Sequence, residues 1–493
     1  MALGLLISLR IPRSLCFSTL ARHVSLQHNR YSSYRSSLRV DTMDTEKSDS
    51  QTKPTNRMKA APEKLLVHWR GEDVEGYSLA FRHPEFLGAL TAVTHQSFDE
   101  ETSPIHFENA LNYDGEAYMS PVKLNAFNKA MQWITLSDDD GAFDRNDFSL
   151  EVFIAAASRC SLIHTVYEVV AVGDTYSDLN DNALSSGGFQ DVMRGGDNEK
   201  DSWAVRVRHF GDEAGSKKER RHGGTTRSVS MEKEALLALK PMLLKFGGGV
   251  DLRNPDCKIY VFDGLVKKKA LAREIATGPQ IFSMAPATRI CITTTPLEPI
   301  ASFTLCNIAG LSSNQKVLDP YSGSCAILLA AAMLSPTCQT VGIDIAHDGL
   351  INRDHIGEDF ATRNLTQPKA VFRGDFNEAD VRDRARAAVG GGPFDHIITD
   401  PPYGIRERKR AGEPSSLEEL FFAIQSDRER GVPLLRKGGR LVCFVPCRPE
   451  IDLADVLPSR EQAEAAGMKL LFSIEQPLNS KLSRWLVSYQ CLR

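Results

Sequence analysis

The sequence contains no CxxC pair, no excess of basic charge, and no apolar run of the roughly 18 residues that a membrane span requires. Its ten cysteines are scattered, and the nearest pair, Cys443 and Cys447, falls in a run that reads as strand and loop. The clustered spacing of a structural zinc site is missing, so reduced, mostly buried thiols and no metal site are expected. A formal net charge of −4 removes a uniformly basic protein, and any nucleic-acid contact must come from local patches. Acidic residues are absent from Met1 to Val40, which carries Arg10, Arg13, Arg22, Arg30, Arg35 and Arg39 among many serines. This is the composition of an organelle transit peptide, and Arg10 and Arg13 follow the apolar "MALGLLISL" instead of preceding it as in a secretory signal. The expected location is a mitochondrion or plastid if the segment is translated, and the cytoplasm if Met43 is the true start.

What is present divides into parts. At roughly 150 residues per domain, 493 residues allow about three. After a polar linker ending near residue 58, "KLLVHWR" reads as a strand, "PEFLGALTAV" as a helix, "FSLEVFIA" as an alternating strand and "ASRCSLIHTVYEVVAVG" as a helix feeding a strand. This gives a small α+β domain over 59–173. A second unit over 174–268 has strands at "SWAVRVRHFG" and "KIYVFDGL" around a helix at "SMEKEALLALKPMLLKF". Between them Lys217, Lys218, Arg220, Arg221 and Arg227 form the densest basic run, a contact for phosphates. Over 269–493 strands and helices alternate, which argues for a doubly wound α/β sheet closed by an antiparallel pair, "MKLLFSIEQPL" and "RWLVSYQCL".

Successive strands of that third unit end in acids. "KVLDPYSG" ends in Asp319, where a carboxylate would repel a pyrophosphate and welcome an ammonium; Tyr321 follows, and Gly323 lets a ligand approach the backbone. "GIDIA" places Asp344 to accept hydrogen bonds from ribose hydroxyls, and "RGDF" places Asp375 near an adenine amino group. The buried run "FDHIITDPPYGIRE" then stops at Asp400, Pro401 and Pro402. Two prolines cannot continue a ladder or a helix, so they hold Asp400 at the carboxyl edge of the sheet. The Asp400 carboxylate and the Pro401 carbonyl can take both hydrogens of a planar exocyclic amine, and Tyr403 offers a face on which a base stacks.

With these residues the C-terminal half resembles the class I S-adenosylmethionine-dependent amino-methyltransferases. More closely, 60–493 is similar to the THUMP-domain tRNA (guanine(10)-N2)-methyltransferase family: "IITDPPYGIRE" resembles its catalytic motif, "TPLEPIASFTLCNIAG" its pre-sheet helix, and "EQPLNSKLSRWLVSY" its closing hairpin with Gln476, Ser483 and Arg484 in matching places. The resemblance implies a Rossmann-like methyltransferase domain with a doubly wound sheet, preceded by ferredoxin-like and THUMP α+β domains. It implies S-adenosylmethionine held by Thr295, Glu298, Asp319, Tyr321, Gly323, Asp344, Asp375 and Asp400, with catalysis by Asp400, Pro401, Pro402 and Tyr403. It also implies tRNA held by the THUMP and ferredoxin-like domains and a small zinc-ribbon activator subunit as partner; the basic run is an elaboration on the family pattern, and it and Arg406 are expected to contact the RNA. The chain departs from the family at the cofactor turn, with Ser324 and Cys325 where threonine and glycine are usual, and a thiol there is expected to narrow the pocket. Methylation of ribosomal RNA guanine or of adenine N6 fits the same motif. An RNA-binding protein with a degenerate methyltransferase fold is the reading from another class, and a dehydrogenase is opposed by both "DPPY" and Asp319.

Overall fold

The computed structural model describes residues 64–70, 79–98, 103, 105–110, 131–136, 149–186, 202–209, 226–265, 268–293, 296–346, 351–403, 415–448, 450–479 and 482–493. All lie within one compact unit spanning 58–493. The N-terminal segment read as a transit peptide, Thr295, Lys217, Lys218, Arg220, Arg221 and Arg406 fall outside the described residues.

Two seven-stranded sheets organise the unit. The first comprises β1 (Lys64–Trp69), β2 (Ile105–Asn109), β3 (Met131–Leu136), β4 (Ile163–Gly173), β5 (Trp203–His209), β6 (Cys257–Leu265) and β7 (Lys268–Thr277). Their spatial order is β2-β3-β1-β4-β7-β6-β5, with only the β5/β6 pair parallel. The α+β modules read over 59–173 and 174–268 therefore share one continuous sheet. Helices α1 (Arg82–Thr94), α2 (Leu150–Ala157), α3 (Tyr176–Ser185) and α4 (Thr226–Ala238) accompany it.

Two local readings are corrected. "FSLEVFIA" is the helix α2, capped by the Ser149 side chain, which accepts from the Val152 N–H at 3.4 Å. Its apolar residues alternate, yet Leu150, Phe153, Ala156 and Ala157 also recur at helical spacing, and those are the ones buried. Residues 269–277, placed by sequence in the third domain, belong to strand β7 of the first sheet. Its alanines, lysines and glutamate favour a helix, but hydrogen bonding to β4 on one side and β6 on the other overrides that preference.

The second sheet holds β8 (Lys316–Asp319), β9 (Gln339–Asp344), β10 (Ala370–Arg373), β11 (Phe394–Thr399), β12 (Leu435–Cys447), β13 (Met468–Asn479) and β14 (Leu482–Cys491). The order is β10-β9-β8-β11-β12-β14-β13; the first five are parallel and β14 runs antiparallel to both neighbours. On one face α5 (Pro299–Ile308), α6 (Ala326–Leu334) and α7 (Arg353–Thr362) bury Phe303, Leu328 and Phe360; on the other, α8 (Ala379–Ala388) and α9 (Ser416–Glu429) bury Val381, Ala385, Leu420 and Ile424. Helices on both faces make the sheet doubly wound, as expected. Asp427 of α9 accepts from Arg382 Nε (2.9 Å) and Arg386 Nη1 (2.7 Å), joining the two helices that flank β11.

The sheets meet through α1 and α5. Glu85 of α1 is fully buried and accepts from the Ser161 N–H (2.8 Å), the Leu162 N–H (2.9 Å) and Asn307 Nδ2 of α5 (3.1 Å). One turn on, Gly88 faces α5 so closely that a Cβ there would stand 2.2 Å from the Asn307 carbonyl oxygen. Gly88→Ala must force the two helices apart, an overpacking expected to cost about 1–3 kcal/mol and to lower Tm in thermal unfolding. An unchanged Tm would show that the α1–α5 contact yields freely.

Candidate active site

Parallel strands bring their carboxyl ends to one edge, so residues far apart in sequence become neighbours there. Asp375 just beyond β10, Asp344 ending β9, Asp319 ending β8 and Asp400 just beyond β11 lie along that edge in that spatial order. Asp319 and Asp400 stand on adjacent strands, β8 and β11, where the strand order reverses.

Asp319 is 1% exposed, and its Oδ1 accepts from the Thr399 hydroxyl (2.7 Å) and the Tyr321 N–H (3.2 Å). Burial pushes its carboxyl up to about 7; nearby Asp344 and Asp400 add to the rise and the hydrogen bonds oppose it. The turn that follows is built on β9: the Ser322 N–H donates to the Ile343 carbonyl (2.8 Å) and the Gly323 N–H to Asp344 Oδ2 (2.8 Å). The other Asp344 oxygen accepts from the Ala346 N–H (2.8 Å). Asp344, read as a ribose acceptor, thus also braces the turn, and each oxygen retains a second lone pair for a ligand. Gly323 has φ +47° and, among the described residues, only Thr293 Cγ2, at 3.9 Å, near the place of a Cβ, so these leave its backbone open to close approach. Asp375 Oδ1 accepts from the Asn377 N–H (2.8 Å). The Tyr321 hydroxyl donates to Glu419 Oε2 on α9 (3.2 Å).

Cys325 adopts the left-handed conformation, φ +61°, that explains why glycine suits this position. Its side chain is 0% exposed and belongs to the same core cluster as Ile327 and Leu328, so it adds no exposed surface to the open edge, while Asp319 is among the groups that act on its thiol. Cys325→Gly relieves a conformation costing roughly 1–2 kcal/mol and loses a similar amount of burial, so Tm is expected to change by little, about 1 kcal/mol or less in stability. A large change in ligand affinity would place the thiol in the pocket after all.

At the neighbouring strand end, Asp400 is partly exposed and its Oδ1 accepts from the Tyr403 hydroxyl (2.9 Å). Burial pushes its carboxyl up to about 6, with Glu298 adding and Arg484 and the Tyr403 bond opposing. The Pro402 carbonyl is 3.5 Å from the Ser416 hydroxyl at the start of α9. Glu298, the N-cap residue of α5, has an exposed side chain whose Oε2 is 3.7 Å from Arg484 Nη2. Asp359 of α7 accepts from Arg289 Nε (2.8 Å) and the Ile290 N–H (2.7 Å), while Arg289 Nη2 donates to the Ser324 carbonyl; this holds the segment before α5 against the turn.

The structure therefore brings together Glu298, Asp319, Tyr321, Gly323, Asp344, Asp375 and the Asp400–Tyr403 turn. Arg227 belongs to α4, and its side chain lies outside the described residues. Sequence reasoning missed Thr399, whose hydroxyl ends an otherwise apolar run and was a legible signal, and Glu419, which carried none. It also missed Ile345, 68% exposed directly after Asp344, an apolar surface on which a flat ring can pack.

The site fits a cationic, adenosine-bearing group: two adjacent carboxylates at the switch point, a backbone open at Gly323, and two further acids alongside. Residues 286–470, which span β8 to β12 and the start of β13, match the family model described as RMKL-like, methyltransferase domain. Two curated relatives named tRNA (guanine(10)-N(2))-methyltransferase TRMT11 are similar to the chain. That of Xenopus laevis is 30% identical over 52% of this chain and 61% of its own, and that of Gallus gallus 28% identical over 50% and 60%. The chain thus spans about 60% of the length of these relatives. The solved structure of TrmN from Thermus thermophilus aligns with 87% of this chain and 100% of its own, at 18% identity and a TM-score of 0.40.

Proposed function

We propose that the protein transfers a methyl group from S-adenosylmethionine to the exocyclic N2 amine of a guanine in tRNA, guanine 10 by its relatives. The observation that carries this reading is the Asp400–Pro401 pair set beside buried Asp319 on adjacent strand ends. When bound, the cofactor supplies a methyl group activated on a sulfonium. Asp319 holds the positive end of the ligand, and Asp344 and Asp375 take the adenosine. Asp400 and the Pro401 carbonyl accept the two amine hydrogens and aim the nitrogen lone pair at the methyl carbon; Tyr403 supplies the stacking face. The N–C bond forms as the S–C bond breaks, and the amine proton then leaves to Asp400 or to water. Positioning supplies most of the acceleration, since the electrophile is already charged.

In this reading residues 59–173 are ferredoxin-like and residues 174–268 a THUMP domain, with the strand to Thr277 completing their shared sheet; together with the basic run at 217–227 and Arg406 they hold tRNA. A small zinc-ribbon activator pairs with the catalytic domain. Residues 1–40 direct the chain to an organelle if translated, and the chain otherwise acts in the cytoplasm. The test is methyl transfer from labelled S-adenosylmethionine to unmodified tRNA, with and without a zinc-ribbon activator, followed by nucleoside analysis. N2-methylguanosine is the expected product. Cofactor binding with no methylated tRNA under either condition would reject the substrate, and absence of cofactor binding would reject the reaction.

A further inference from the structure

Arg484 sits in β14, between β12 and β13, and is 4% exposed. Its Nε donates to Gln476 Oε1 (2.7 Å) on β13, and its guanidinium carbon lies 4.1 Å from the centre of the Phe444 ring on β12. Its Nη1 reaches the Tyr403 hydroxyl at 3.5 Å, and its Nη2 is buried without a hydrogen-bond acceptor, 3.7 Å from Glu298 Oε2. A buried guanidinium is costly unless anions compensate it, yet its one short bond is to a neutral amide. The geometry also fixes a direction. Arginine can only donate, so the Tyr403 oxygen accepts from Nη1 and turns its own proton to Asp400 Oδ1 (2.9 Å).

We propose that Arg484 is a positioning residue of the methyl-transfer site, which through the Tyr403 hydroxyl pins one Asp400 oxygen and leaves the other to the substrate amine while balancing the carboxylate charge. Its catalytic consequence rests on the proposed function; its coupling to Asp400 does not. The groups facing Asp400 are Asp319 from β8, Cys443 from β12, Glu298 at the start of α5, Tyr403 from its own turn and Arg484 from β14. Among these described groups Arg484 is the cation. It favours ionised Asp400, so the coupling is present above the pKa of Asp400, near 6, and is lost as pH falls through it.

The experiment is thermal unfolding of the full chain without cofactor, for wild type, Arg484→Met, Asp400→Asn and the double variant, from pH 5 to pH 8. Arg484→Met is expected to lower Tm more at pH 8 than at pH 5, and this pH-dependent part should vanish in the Asp400→Asn background. An equal loss at both pH values, or the same pH dependence with Asp400 replaced, would overturn the proposal. If Arg484→Met does not fold, Arg484→Gln takes its place, since it also removes the charge while keeping a hydrogen-bond donor. In methyl transfer, Arg484→Lys is expected to lower kcat about tenfold or more, with the acid limb of the pH profile in place and the cofactor KM within about twofold. A raised KM with unchanged kcat would assign Arg484 to cofactor binding instead. Inactive wild type would reject the reaction and leave the thermal cycle to decide the coupling.

Discussion

Asp400→Ala is expected to lower kcat for methyl transfer at least about 100-fold while leaving S-adenosylhomocysteine affinity within about threefold. The asymmetry follows from where the residue stands. Its carboxylate is one of two acceptors at the end of β11, and without it the Pro401 carbonyl alone holds the amine, which is free to turn its lone pair away from the methyl group. The Tyr403 hydroxyl loses its 2.9 Å acceptor at the same time, so the stacking face loosens too. Binding is different, because buried Asp319 on the adjacent strand remains to meet the positive end of the ligand. Kinetics under saturating cofactor, with a separate titration of S-adenosylhomocysteine, resolve the two effects. If affinity collapses together with kcat, Asp400 belongs to the cofactor's grip and the amine must be held by other groups.

The second sheet was the more legible part of the sequence for a physical reason. A parallel sheet buried on both faces writes itself as apolar runs, and whatever ends such a run is placed at one edge by topology alone. Asp319, Asp344, Asp375 and Asp400 were readable for that reason, although their spatial order, 375-344-319-400, needed the strand order to be known. The first sheet was less readable. Leu150–Ala157 is short enough that its apolar residues fit both periods, and Lys268–Thr277 is a strand because partners flank it and not because its residues prefer one. Arg484 shows the remaining gap. Sequence comparison set it in a matching hairpin position, while its work depends on contacts from β12, β13, α5 and the Tyr403 turn, which pattern alone does not assemble. Cys325 shows the same gap, because the residue type was visible and its complete burial was not.

Asp319→Asn is expected to stabilise the free protein at pH 8 and to weaken cofactor binding, a pairing that separates a functional acid from a structural one. In the folded chain the carboxyl is raised from an ordinary 3.8 to about 7, first because it is buried and then because Asp344 and Asp400 are close. Stability contributed by its neutral form is full below the unfolded value and is lost as pH rises through about 7. At pH 8 the protein therefore carries a buried charge against which the described residues set no cation, at a cost on the order of a few kcal/mol shared among the three acids. Asparagine removes that charge and can still accept from Thr399, so a gain of about 1–3 kcal/mol is expected at pH 8, and a smaller one at pH 5, where the folded acid is protonated while the unfolded one is already ionised. The same substitution deletes a charge-assisted contact worth about 1.5–3 kcal/mol to a bound ammonium, so S-adenosylhomocysteine should bind about 10- to 100-fold more weakly. In wild type, affinity should likewise fall as pH drops below about 7, and this dependence should disappear in the variant. Thermal melts at the two pH values and calorimetric titration read both effects. A lower Tm at pH 8 would make Asp319 a structural brace for the turn, whereas a higher Tm with unchanged affinity would mean that the cofactor's positive end is met elsewhere along the edge.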